Sequence, residues 1–322
     1  MKFESLKSSL KERIYPIYLL EGEEDFFRDK AVELILQASI TEPELNFVAY
    51  DGSYFAKSTD ALISLLSSCP FMSEKRAILL REWYPSSTDF KDKTLKQYFD
   101  NPFDTSVLIV SNTKKCEALK KASSVTVIDC QRGDIDLISK IVRSKCTKEG
   151  LIISTSTCKL IAEFCLYDMT RIMGEVDKLI AYKTGQTDIS EDDVNLMVTK
   201  TNDYKIYEMV SFIANKSYAD AYRIMKELNS TSDKQMLFAS LYYHFRRMFF
   251  VVMSNANDDE LSQILGVKPF AVTMARRQAK SFSPKRLKKI MDKLSACEQG
   301  FKSGDITFDG AFYEGLFNVL CE

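Results

Sequence analysis

The chain has 322 residues, 45% of them hydrophobic and 28% charged, enough for two or three globular modules with cores of their own. Its 44 Lys and Arg stand against 45 Asp and Glu, a formal net charge of −1, which excludes a body built as a strongly basic nucleic-acid binder. With only 11 Gly and 7 Pro, helices are favoured over turn-rich β architectures. No apolar run reaches membrane-spanning length. The first 20 residues scatter charges where a signal peptide would have its apolar core, so a cytoplasmic location is expected, with no membrane partner. The eight cysteines are dispersed and form no CxxC pair, which predicts free thiols.

Residues 1–133 alternate short apolar runs with helical stretches. The runs are Ile17–Leu20, Phe47–Tyr50, Ala77–Leu80, Val107–Val110 and Val125–Ile128. Phe26–Ala38 and Thr59–Ser68 read as helices between them. Continuous apolar strands separated by helices predict a parallel sheet covered on both faces. After Gly133 the strand signals fade, and 134–202 reads as a small helical domain. Asp134 heads a helix to about Glu149, Asp168–Lys183 carries Met169, Ile172, Val176, Leu179 and Ile180 at helical spacing, and Ser190 opens Glu191–Val198.

From Asp203 to the end every segment reads as helix. Ser232 with Gln235 suggests a capping box. The following helix sets Leu237, Leu241, Phe245, Met248 and Val252 on one face. Pro269 and Pro284 each suit a first helical turn. Behind Pro284, Leu287, Ile290, Leu294, Cys297 and Phe301 form a seam that needs a helical partner, inside the domain or in another subunit. The fold class is therefore α/β plus all-α.

Several chemistries lack the residues they need. No GxxxxGK[ST] or GxGxxG is present, and the first strand-to-helix turn places Glu21, Glu23, Glu24 and Asp25 around Gly22, where a phosphate cradle needs small residues, free amides and a lysine. The single histidine, His244, lies between Tyr243 and Phe245 and reads as a packed or surface helix residue. No Cys/His cluster has metal-ligand spacing, and no GxSxG elbow occurs. No catalytic residue, cofactor site or metal site is predicted.

A series of short motifs then carries a resemblance. Gly22-Glu23-Glu24 follows a strand. Asn46-Phe47, Tyr50-Asp51-Gly52 and Pro70-Phe71-Met72-Ser73-Glu74-Lys75-Arg76 come next. Glu175-Val176-Asp177-Lys178-Leu179 lies in the middle segment. Phe245-Arg246-Arg247, Leu265-Gly266-Val267-Lys268-Pro269-Phe270, Ala279, Phe282-Ser283 and Lys302 close the chain. In this order they resemble the delta subunit family of bacterial DNA polymerase III clamp loaders.

The resemblance implies a degenerate AAA+ module at 1–133, a helical lid at 134–202 and a helical collar, the oligomerisation domain, at 203–322. It implies a non-catalytic subunit that binds and opens the ring-shaped sliding (beta) clamp. Its other partners would be the gamma/tau and delta prime subunits, with ATP hydrolysed by partner subunits, and primed DNA met through the assembled complex. It further implies a hydrophobic plug at Phe71 and Met72, where the family often carries leucine and phenylalanine, and the register admits Pro70 as its first residue. The bland alternative is that Phe71 and Met72 begin the core strand Ala77–Leu80, although Glu74, Lys75 and Arg76 intervene. Arg246, Arg247 and Lys285 are candidate contacts to DNA or to a neighbouring subunit, weighed against solvated helix faces. Lys285 belongs to the densest basic stretch, with Arg276, Arg277, Lys280, Arg286, Lys288 and Lys289. Two other functions stay open: an NTPase with an unusual phosphate turn, and a nucleic-acid-binding helical module.

Overall fold

A computed structural model describes residues 1–322 except 56–58, 132, 232, 268 and 322. The chain divides into two compact units, Met1–Asp134 and Ile135–Glu322.

The first unit is built on five parallel strands: β1 (Ile17–Glu21), β2 (Phe47–Asp51), β3 (Arg76–Arg81), β4 (Ser106–Asn112) and β5 (Val125–Asp129), in the spatial order β2-β3-β4-β1-β5. The central strands β1 and β4 are buried along their whole length, as their unbroken apolar runs require, whereas the edge strands β2 and β5 are mostly half-buried. The helices α1 (Phe3–Glu12), α2 (Asp25–Ser39), α3 (Pro43–Asn46), α4 (Thr59–Leu66), α5 (Lys93–Asp100) and α6 (Glu117–Lys120) supply the rest. One core layer joins Leu62 and Leu66 of α4 and Leu95 and Phe99 of α5 to Ile17, Leu19, Ile78, Leu80, Leu108 and Val110 of the sheet. Each predicted strand is present to within one or two residues.

The turn after β1 differs from its sequence reading in a useful way. Glu21 does not face outward. It is buried, pairs with Lys120 (2.9 Å) and accepts the Cys116 N–H (2.5 Å). Asp25 pairs with Arg28, whose guanidinium also donates to the Gly22 carbonyl. The Gly22 N–H donates to the Asn112 carbonyl (3.2 Å) and the Glu24 N–H to the Cys130 carbonyl (3.3 Å). Two amides of this turn, those of Gly22 and Glu24, are therefore engaged by the neighbouring strand ends.

In the second unit, α7 (Ile135–Lys148), α8 (Thr155–Phe164), α9 (Met169–Tyr182) and α10 (Glu191–Met197) are joined by a two-strand parallel pair, β6 (Ile152–Ile153) with β7 (Asp188–Ile189), which the purely helical reading did not include. Asp168 caps α9, and Ser190 with Asp193 forms a capping box on α10. Then come α11 (Asn202–Ala214), α12 (Tyr218–Thr231), α13 (Lys234–Met253), α14 (Asp258–Leu265), α15 (Pro269–Ala279), α16 (Pro284–Ser303) and α17 (Phe308–Cys321). Ser232 lies outside the described residues, and the cap seen on α13 is Asp233, whose carboxylate accepts from the Gln235 and Met236 amides. On α13 it is Val251 that is buried, with Val252 at the margin of the core. The seam on α16 finds its partners within the unit: Leu287, Ile290, Leu294 and Cys297 join residues of α13 and α17 in one core, and only Phe301 is partly exposed.

Gly22 has φ +151°, and a Cβ there would lie 2.1 Å from the Cys130 carbonyl carbon. Gly22→Ala is expected to cost roughly 3–5 kcal/mol of stability. Urea denaturation of the full chain checks this.

Candidate protein-interaction site

The strand pairing decides where the segment carrying Phe71 and Met72 lies. In β2 and β3, Phe47 stands opposite Ala77, so the residues just before each strand meet at the N-terminal edge of the sheet. That edge holds Asn46 on one side and the segment 67–75 on the other. It is opposite the C-terminal edge, where parallel sheets commonly bind nucleotides.

Asn46 is 1% exposed although residues 41–45 before it are all exposed. Its Oδ1 accepts the Phe71 N–H at 2.7 Å. Its Nδ2 donates to the carbonyls of Phe71 (2.8 Å), Thr41 (3.0 Å) and Glu42 (3.3 Å). The partners fix which end is which, because a flipped amide would aim its oxygen at three carbonyls. Further ties surround this bracket. Thr41 Oγ1 donates to the Met72 carbonyl (3.3 Å), the Thr41 N–H to Ser73 Oγ (3.1 Å), and Ser73 Oγ to the Lys75 carbonyl (2.8 Å). Lys75 Nζ reaches the Asp104 carbonyl, and the Arg76 N–H donates to the Thr105 carbonyl (3.0 Å).

The backbone is thus held while the side chains are not. Phe71 is 59% and Met72 81% exposed, and β3 begins only at Arg76, so the pair does not start the core strand. Pro70 is half-buried. Met72 has φ +51°, a left-handed conformation that costs a non-glycine residue about 1–2 kcal/mol. Two adjacent large apolar side chains thus stand exposed on a loop whose backbone is tethered.

Comparison with known proteins agrees with this architecture. The family model described as DNA polymerase III, delta subunit, matches residues 18–131, and the model for the C-terminal domain of the DNA polymerase III delta subunit matches residues 203–318. The DNA polymerase III subunit delta of Bacillus subtilis (strain 168) is 21% identical over 323 residues, covering 94% of this chain and 92% of that protein. The solved Bacillus subtilis DNA clamp loader delta protein has the same fold, with a TM-score of 0.78 at 20% identity over 99% of this chain and 100% of that one.

The chain belongs to the DNA polymerase III delta subunit family. As a clamp-loader delta subunit it is a part of DNA replication. The five-stranded parallel sheet followed by helices is the α/β plus all-α class expected from the sequence, and the solved clamp loader delta protein shares it. Among the described residues of this delta-family chain, no group of three His, Cys, Asp or Glu side chains could hold a metal ion, and no helix is long and apolar enough to cross a membrane.

The delta subunit's second unit brings Arg246 and Arg247 together but not Lys285. Both arginines line one cavity with Asp203, Tyr243, Leu265, Gly266 and Val267. Arg246 lies over the Phe250 ring at 5.4 Å. Arg247 is half-buried. Its Nε is buried with no hydrogen-bond partner among the described residues, its Nη2 stands 3.5 Å from His244 Nδ1, and burial lowers its pKa against the opposing pull of Asp203. Lys285 is exposed on the first turn of α16. Of the other basic residues, Arg276 is taken up by Asp258 (2.7 Å), and Arg286 lies over the Phe282 ring. Glu175 and Lys178 pair at 2.5 Å, and Glu175 also accepts the Thr199 N–H, so this pair ties α9 to the end of α10.

His244 is the packed histidine of the two sequence readings. It is buried, with Nε2 2.6 Å from Gln278 Oε1, while Gln278 Nε2 donates to the Tyr207 carbonyl and Ser211 Oγ (2.7 Å each). Burial, with Arg247 alongside, pushes its pKa from 6.5 down to about 3, against the Gln278 hydrogen bond. The unfolded chain therefore takes up a proton below pH 6.5 that the folded chain refuses until about pH 3, so stability falls as pH drops through 6.5. The contribution approaches about 1.4 kcal/mol per pH unit. Denaturation of the wild-type chain and of His244→Gln between pH 7.5 and 5 should show this component in the wild type alone.

Proposed function

We propose that this delta subunit binds the ring-shaped sliding clamp through Phe71 and Met72 and opens it for loading onto primed DNA. The observation that carries the reading is the exposure of both side chains on a backbone held by Asn46. An exposed apolar pair presented on an ordered loop is an interaction anchor. Burying each side chain would contribute roughly 1.5–3 kcal/mol. Methionine adapts to an imperfect pocket.

The three-part division assigns 1–133 to the clamp-binding module, 134–202 to the lid and 203–322 to the collar, which joins this chain to gamma/tau and delta prime. The chain has no catalytic role of its own, and ATP is hydrolysed by partner subunits. The engaged Gly22 and Glu24 amides support this part of the reading. Arg246 and Arg247 serve a neighbouring subunit, because their shared cavity is lined by Tyr243, Leu265 and Val267 as well as by charge. Exposed Lys285 is the candidate DNA contact. The assembly works in the cytoplasm.

Binding of the full chain to its own sliding clamp tests the central claim. Phe71→Ala/Met72→Ala is expected to weaken binding by at least about 100-fold with an unchanged circular dichroism spectrum. Pro70→Ala should keep most of the affinity if the plug register is Phe71–Met72. Wild-type affinity in the double variant would move the plug elsewhere.

A further inference from the structure

We propose that Asn46 is the positioning residue of this interaction loop, holding Phe71 and Met72 in the outward conformation before any partner arrives. The inference rests on the reading of Phe71 and Met72 as the clamp-binding pair.

Three observations carry it. First, the segment 67–75 has no helix or strand of its own, and while Ser67 and Ser68 bond back to α4, residues 71–75 are tied chiefly to the chain before β2, with Lys75 reaching the chain before β4. Second, the Asn46 side chain holds both the N–H and the C=O of Phe71, so the peptide units on either side of that residue are oriented by one buried amide. Third, the left-handed Met72 has a counterpart in Glu42 (φ +50°). Asn46 donates to the Glu42 carbonyl, and Thr41, next to Glu42, donates to the Met72 carbonyl. Two uncommon backbone conformations are thus locked against each other across the sheet edge.

Without this bracket the loop samples conformations in which the two side chains do not project together. Apparent affinity then falls by the fraction of chains still in the competent state. Order set before docking appears in the association rate, whereas the side chains in the pocket govern dissociation. A residue that merely stabilised the unit would not separate the two rates.

The test is surface plasmon resonance of the full chain on its sliding clamp, with thermal melts of each variant. Asn46→Ala is expected to slow association about 10-fold while dissociation stays within about two-fold. Phe71→Ala is expected to speed dissociation instead. Thr41→Val removes only the exposed hydroxyl bound to Met72, so it should fold normally and slow association about two- to three-fold. It decides the matter if Asn46→Ala melts below the assay temperature. Wild-type association in the folded Asn46 variant, or in Thr41→Val in that case, together with lost affinity in Phe71→Ala, would overturn the positioning role and leave the clamp reading standing. Wild-type binding by Phe71→Ala would remove the clamp reading and the positioning role with it.

Discussion

The buried amide of Asn46 joins two parts of the first unit that the chain separates by 25 residues. It stands where β2 begins, and it holds the backbone of Phe71 just ahead of β3. Because β2 and β3 are parallel and paired in register, both strands start at the same edge. A side chain placed before one strand can therefore reach the loop before the other. The exposed apolar pair, its left-handed methionine and its place on the molecule all follow from that pairing and that one bracket. A buried amide left with unmade hydrogen bonds is costly, so the bracket closes fully or the edge is remade.

The parallel sheet also separates two edges with different fates. At the C-terminal edge, the turn after β1 has spent its Gly22 and Glu24 amides on Asn112 and Cys130, and Arg28 has turned its charge to the Gly22 carbonyl and Asp25. Two backbone amides at the edge where parallel sheets commonly recognise phosphates are thus engaged within the fold. At the N-terminal edge, the loop before β3 presents its apolar side chains to solvent. The helical second unit keeps a buried polar network of His244, Gln278, Tyr207 and Ser211 that ties α11, α13 and α15 together.

Much of this can be read from the sequence where burial is two-sided. The runs Ile17–Leu20 and Val107–Val110 announce central strands because a strand covered on both faces is apolar along its length. The helix start at Ser190 is legible for a local reason, since its side chain satisfies the amide three residues on. Asn46 stands out in the sequence only as part of a motif. A single polar residue before a strand has no periodicity, and its partners are backbone atoms that come close only after β2 and β3 pair. Glu21 is hidden for the same reason: its inward turn depends on Lys120 and the Cys116 amide, nearly a hundred residues away. The two-residue strands β6 and β7 are too short to leave a pattern. Composition leaves the exposure of Phe71 and Met72 open, and it is the charged Glu74, Lys75 and Arg76 that point toward a turn.

Hydrogen exchange of the full chain, alone and with its sliding clamp, would locate the surface that meets the clamp. The peptide spanning 67–75 is expected to gain protection in the complex. Peptides over Gly22–Asp25 and over α13 to α16 should exchange as in the free chain. Protection confined to the second unit, with 67–75 unchanged, would contradict the reading of Phe71 and Met72 as the clamp-binding pair.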